Sequence, residues 1–285
     1  MSAPTVRRRR LGVKLRGLRG SSTLDEVAAK SAGAINPAKL SRIETARTAA
    51  KAKDVELLLD LYGIKDKELR RALLALTREG ARRGWWQSYR GILSPVYEDL
   101  ISLEAEATSV RTWRMGVIPG LLQTGEYARE TIAATAMSEA VEARVDALVE
   151  VRLARQAVLT RDQPINLWAI IAESALQMSC VGEGVMRDQL GRLQSLGRRP
   201  NITIQILPSS APPHVGQAGS YSLLGFDDHA DLDVVHVESL TSALYIEHRE
   251  EVTVYRDAFE RLRAAALPVE RSAELIAEIR EETHA

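Results

Sequence analysis

Two helix-start signals stand close together near one end of this 285-residue chain, and they fix how residues 23–47 fold. Thr23 with Glu26 three residues on is a capping box, in which hydroxyl and carboxylate satisfy the free amides of a helix start. A helix therefore begins at Leu24. It ends near Gly33, where Ala32, Gly33 and Ala34 permit a tight change of direction. Asn36 followed by Pro37 starts the next helix, because Asn caps well and Pro is preorganised for the first helical position.

In that second helix Leu40 and Ile43 fall on one side, leaving Ala38, Lys39, Ser41 and Arg42 on the others. Small and cationic residues suit a helix entering the DNA major groove, since the backbone approaches closely and Arg forks onto guanine O6 and N7 or onto phosphate. Periodicity by itself fits equally an amphipathic helix with a solvated charged face. The charge distribution favours the nucleic-acid reading. Residues 1–90 hold 21 Lys and Arg against 9 Asp and Glu, a net +12, while residues 91–285 carry −12, so the overall zero hides a basic segment joined to an acidic one.

Arg7, Arg8, Arg9 and Arg10 read as a cationic arm leading into a helix that begins at Leu11. Such an arm either tracks phosphates and narrow minor grooves or stays solvated. Lys14, Arg16 and Arg19 interrupt any apolar segment after it, so no export signal is read. The longest apolar run, residues 167–172, is too short to span a bilayer. Lone Cys180 offers no internal disulfide and no second thiolate for zinc, which fits a reducing cytoplasm.

Further along, Val55, Leu58, Leu59 and Leu61 predict a helix over 54–62 that Gly63 ends. Asp66 starts a fifth, with Leu69, Leu73, Leu74 and Leu76 inward and Arg70, Arg71, Arg78, Arg82 and Arg83 outward. Five helices make a small all-α module. Trp85, Trp86 and Tyr89, set among glycines and arginines, read as the junction between domains, by packing or alternatively by stacking on a base. Helices are expected over 95–111, from Gly125 onward, and as one long element over 138–159. The period then drops to two. Residues 165–172 and 201–207 read as strands joined through a helix over 183–198, a crossover pair. Short strands follow at 221–226, 233–238 and 244–247, then two helices over 250–266 and 268–282.

The run KLSRIETAR (39–47) resembles the second half of the helix-turn-helix in Xre/Cro-type repressors, and LGVKLRGLR (11–19), with Leu11, Leu15 and Leu18 at helical spacing, looks like that family's first helix. The resemblance implies a pair between Arg19 and Glu44; an incidental surface ion pair is the other reading. GSS (20–22) is about two residues shorter than in the family and SAGAI (31–35) about two longer, so Thr23 is taken as the cap. The alternative, Asp25, would place Lys30 at a buried position at a cost. GWWQSY, VIPGLLQTGEYAR, VRLARQAVLTR, NITIQILP and LRAAALP resemble the actinobacterial WhiJ-like Xre regulators, over residues 11–267. That resemblance implies transcriptional control and, for some members, a small separately encoded partner protein. It supplies no catalytic residue or ligand.

Chemistry in the second region has one constellation to offer: His214, His229, Asp231, Asp233, His236 and Glu238. His236 and Glu238 lie two apart on a strand and share a face. They serve either a metal centre or, with three converging ligands not in evidence, simply the polar edge of a strand. P-loop, GxGxxG, GxSxG and HExxH patterns are missing from the sequence. The loop over 208–220, rich in Ser and Pro, either connects or lids a cleft.

The expectation is an α+β chain: a basic arm over 1–10, a five-helix Xre/Cro-type domain over 11–83, an aromatic linker over 84–94 and an α+β regulatory domain over 95–285. Ala38, Lys39 and Arg42 are expected at base edges. Thr23, Asn36, Ser41, Arg47 and Arg7, Arg8, Arg9 and Arg10 are expected at phosphates. The expected partners are double-stranded DNA with a two-fold operator, a second copy of the chain, and a small protein or small-molecule effector. No cofactor, metal, membrane or catalytic residue is expected. The alternatives are an enzyme in the second domain, metal-dependent or hydrolytic, placed by the helix-turn-helix, or an antitoxin-like adaptor that binds protein.

Overall fold

Leu15, Leu40, Leu58, Leu59 and Leu73 are all fully buried, and the helices that carry them define the first of two units, residues 1–84. The computed structural model describes residues 6–77, 85–89, 91–136, 139–177, 181–226, 232–239 and 242–282. The first unit is all helical: α1 (Val6–Arg19), α2 (Leu24–Lys30), α3 (Pro37–Glu44), α4 (Ala52–Leu61) and α5 (Lys67–Leu76). Thr23 caps α2 as expected, its Oγ1 accepting from the Glu26 amide at 3.1 Å while Glu26 Oε2 accepts from the Thr23 amide at 2.8 Å. The turn into α3 passes through left-handed backbone at Ala32 (φ 50) and Gly33 (φ 83). Asp66 Oδ1 caps α5 by accepting from the amides of Glu68 and Leu69. Arg78, Arg82 and Arg83 lie outside the described residues, as do residues 1–5.

One correction concerns the basic arm. Arg7, Arg8, Arg9 and Arg10 are the opening turns of α1, and Arg10 is buried. Arginine is a good helix former, and no Gly or Pro separates this run from Leu11, so the helix extends back through it.

The second unit, residues 85–285, is built on a six-stranded sheet in the order β3-β2-β1-β4-β5-β6. The strands are β1 (Ser109–Arg114), β2 (Asn166–Ala172), β3 (Ile202–Leu207), β4 (Tyr221–Gly225), β5 (Val234–Glu238) and β6 (Ala243–Ile246). β1, β2 and β3 run parallel, and the expected crossover from β2 to β3 is made by α10 (Glu183–Leu196). From β1 onward the pairing is antiparallel. Thus β1 is the strand at which the sheet changes character. Between β1 and β2 come α7 (Gly125–Ala134), α8 (Glu139–Glu142) and α9 (Val145–Arg155); α6 (Pro95–Glu106) precedes β1, and α11 (Arg249–Ala265) and α12 (Val269–Glu282) close the chain.

Two further expectations are corrected here. The helix expected over 95–111 stops at Glu106, because Ala107 turns to extended backbone (φ −62, ψ 146) and the chain enters β1. The single helix expected over 138–159 divides at residues 143–144 and tightens to a 3-10 turn over Gln156–Leu159. The apolar cluster with Ala128 and Ile132 of α7 takes Val145, Leu148 and Val149, so the packed stripe starts only at Val145.

One face of the sheet is apolar. Trp113, Ile170, Tyr221, Leu223 and Val235 pack there against Val252, Phe259 and Leu262 of α11. The outer edge of β3 is closed by the start of α12: Ile206 donates its amide to Ser272 Oγ and accepts at its carbonyl from the Leu267 amide, both at 2.9 Å. Trp86 and Tyr89, expected in a linker, sit on a 3-10 turn (Trp85–Tyr89) and pack with Leu93, Ile101 and Val151 inside the second unit. Both rings are partly buried against that cluster, while Trp85 is exposed.

Candidate functional site

The exposed side of α3 is set by what the other side must do. Asn36 Oδ1 accepts from the Lys39 amide at 2.7 Å and Pro37 occupies the first turn, so the helix begins where the sequence predicts. Leu40 and Ile43 are buried, which leaves Ala38 and Arg42 exposed and Ser41 half-buried. Beyond the C-terminus, Ala46 adopts a left-handed φ of 59 with its side chain buried, and the chain turns to put Arg47 in solvent. Thr23 is exposed at the start of α2. Thr23, Asn36, Ala38, Arg42 and Arg47 are thus all exposed within the stretch 23–47.

α3 is held from behind by an ion pair. Arg19, at the end of α1, reaches Glu44 in fork geometry, Nε to Oε1 at 2.8 Å and Nη2 to Oε2 at 3.1 Å, with Glu44 only 4% exposed. Arg19 also donates to the Ser22 carbonyl, tying the α1–α2 turn into the same knot. The hydrogen bond to Glu44 raises the guanidinium pKa, and burial beside Glu44 pushes the Tyr62 phenol up to about 12. This is a buried, two-point pair and not the incidental surface contact that was the alternative.

Lys39 behaves differently from its expected role. Its ammonium lies 2.8 Å from Oδ1 of Asp54, a carboxylate 7% exposed at the start of α4. A buried carboxylate needs a counter-charge, so Lys39 is drawn along the protein surface toward α4. Asp54 was read from sequence only as part of a helix. A first-turn acid fifteen residues beyond a helical Lys is too general a signal to find such a pair.

In the second unit the described members of the constellation bring no three metal-ligating side chains together. His214 stacks edge-on against Trp113, with ring centroids 5.7 Å apart. Asp233 pairs with Arg256 at 2.8 Å; burial raises its pKa, an effect this pair opposes. His236 is buried on β5, beside Tyr245 at 5.0 Å, and Glu238 is exposed at the end of the same strand, on the same face. Burial first, then Arg114 and Arg155, pulls the His236 pKa down to about 3. His229, Asp231 and Cys180 lie outside the described residues. No group of three metal-ligating side chains occurs among the described residues.

Sequence reasoning missed a buried network on the sheet face opposite α11. Arg155 of α9 forks onto Glu104 of α6, Nη2 to Oε1 at 2.6 Å and Nε to Oε2 at 2.8 Å, and donates to the Tyr97 hydroxyl at 2.5 Å. Both charged groups are almost wholly buried. The loop over 208–220 contributes Val215, Ala218 and Ser220 to the wall of a groove of about 640 Å³ against Tyr255 and Ala258 of α11. Trp113 pins that loop, its Nε1 donating to the Gly216 carbonyl at 2.9 Å.

A family model described as a domain of unknown function (DUF5753) matches residues 97–278, which is most of the second unit and more than half of the chain. The chain belongs to the DUF5753 family. A model described as a helix-turn-helix domain matches residues 10–73 of this DUF5753 protein, spanning α1 to most of α5. No curated protein and no solved structure matches it. The DUF5753 chain thus joins a helix-turn-helix unit, the architecture of DNA-binding regulators, to an α+β domain. Among the described residues no helix is long and apolar enough to cross a membrane.

Proposed function

We propose that this protein is a sequence-specific DNA-binding transcriptional regulator of the cytoplasm, of the WhiJ-like Xre type found in actinobacteria, and not an enzyme. The observation that carries this reading is the outward side of α3. Arg42 and Ala38 are free to meet base edges while Leu40, Ile43 and the Arg19–Glu44 fork fix the helix from within. Thr23, Asn36, Ser41 and Arg47 flank that side and donate to phosphates. Lys39, engaged by Asp54, serves the phosphate side at most. Arg7, Arg8 and Arg9 act from a rigid helix instead of a loose arm, with Arg10 structural.

One module of this size buries modest surface, so two copies of the chain on a two-fold operator are required for specificity. The DUF5753 domain supplies the contacts between copies and receives the signal, from a small molecule or a small partner protein. The test is selection of duplexes from a random pool by the full chain, with and without cell extract. A two-fold sequence enriched by the parent and lost in Arg42→Ala supports the reading. Failure to enrich any sequence favours the protein-binding adaptor.

A further inference from the structure

On the sheet face opposite α11, polar side chains gather toward the Arg114 end of β1 and its antiparallel partners, while Val110, Leu224 and Val234 of the same strands are buried and apolar. At β3 and β2 the side chains are Ile202, Ile204, Leu167, Ala169 and Ile171, all buried. From β1 the register sets Thr112 beside Ser222, Ser222 beside His236, and His236 beside Tyr245. The alternation of a strand then places Arg114 and Glu238 on the same face.

Arg114 is the last residue of β1, where parallel pairing gives way to antiparallel. Its guanidinium donates from Nη2 to Ser222 Oγ at 3.0 Å and makes no ion pair among the described residues. Arg152 of α9 donates from Nη1 to Gln123 Oε1 at 2.9 Å, and its buried Nε meets no acceptor. Arg152 and Arg155 both lie beside Gly120. His236 Nδ1 is likewise buried without a hydrogen-bond partner. Of the three guanidiniums only Arg155 has a carboxylate of its own, Glu104, while Glu238 sits at an exposed strand end.

We propose that this polar end of the sheet face binds a small anionic ligand, a carboxylate or a phosphate, gripped by Arg114 and Arg152. Both guanidiniums are partly buried and each makes a single side-chain hydrogen bond, so an anion can accept from the N–H groups that remain, and two oxygens of a carboxylate or phosphate match the fork of Arg114. The location agrees with the general preference of ligands for the carboxyl ends of strands at a switch in sheet topology. Burial lowers the Arg114 pKa; Glu238 opposes that, Arg155 and Arg152 add to it, and Glu104 opposes it again. The inference stands without the DNA-binding reading, and its test involves no DNA.

The thermal unfolding midpoint of the full chain is followed in sodium phosphate, sodium acetate and sodium chloride at equal ionic strength, for the parent, Arg114→Gln and Arg152→Gln. The expected result is a rise in the parent with phosphate or acetate beyond that in chloride, through preferential binding to the folded state, with the apparent affinity at least about tenfold weaker in Arg114→Gln. A response to phosphate alone identifies a phosphorylated ligand; a response to acetate, with or without phosphate, identifies a carboxylate. Should Arg114→Gln fail to fold, Arg152→Gln is read by the same criterion. Equal responses in parent and variant, or no excess response to either anion, would overturn the proposal.

Discussion

A β-carbon at Gly12 would stand 2.5 Å from the carbonyl oxygen of Glu44 and 2.8 Å from that of Ile43, so α1 and α3 meet backbone to backbone at this glycine. Neither carbonyl can yield without moving α3, whose far side carries Arg42. Gly12→Ala is therefore expected to destabilise by about 1–3 kcal/mol through overpacking, outweighing the gain of about 1 kcal/mol in helix propensity. Gly17, on the same helix with nothing within 4 Å of its would-be β-carbon, gives the opposite sign. Urea unfolding of both variants checks the contrast, and stabilisation by both would remove the close approach as a constraint.

Arg42→Ala is expected to weaken operator binding by about 1–3 kcal/mol and to relax preference at one base pair, as loss of a bidentate base contact does. Titration at fixed salt measures it. Parent-like affinity would rule out the contact.

Lys39→Met leaves the Asp54 carboxylate buried beside no cation. The expected loss is about 1–3 kcal/mol, moderated by the partial exposure of Lys39, and Lys39→Met with Asp54→Leu should recover most of it. The pair is read by a double-mutant cycle in denaturant. Additive losses would mean the two residues act independently.

Glu104→Gln strips Arg155 of the carboxylate it forks onto in a buried setting, and a cost of about 3–5 kcal/mol is expected. Arg155→Met combined with Glu104→Leu should be much closer to the parent than either single change. Near-neutral Glu104→Gln in a thermal melt would show that the network contributes little.

His236 is expected to make the fold acid-sensitive. Its pKa is held to about 3 in the folded chain against 6.5 when unfolded, so below 6.5 the unfolded chain takes up a proton that the folded chain refuses. The contribution of this residue is complete above 6.5 and declines as pH falls toward 3. His236→Gln is expected to remove on the order of 2–3 kcal/mol of the stability lost between pH 7 and about 4.5. Parallel stability-versus-pH curves for parent and variant would rule out this coupling.

The first unit was legible because its signals are local. Thr23 with Glu26 and Asn36 with Pro37 fixed two helix starts to the residue, and the Arg19–Glu44 pair followed from resemblance to Xre/Cro repressors. What escaped was long-range. β1 reads SVRTWR, and its strand alternation is hidden because Thr112 and Arg114 occupy inward positions on a polar part of the sheet. Arg155 resembles the solvated side of a helix until Glu104, fifty-one residues earlier, is brought beside it. Lys39 had the right position for a base contact, and only the folded chain reveals Asp54 beneath it.

β1 also imposes a schedule. Its partner on one side, β4, is 116 residues downstream at the Ser109–Gly225 pair, so the middle of the sheet stays half-zipped until nearly four-fifths of the polypeptide exists. The five helices of the first unit depend on no such distant strand and are ready much sooner. On a ribosome, the helical headpiece matures before the sheet that follows it.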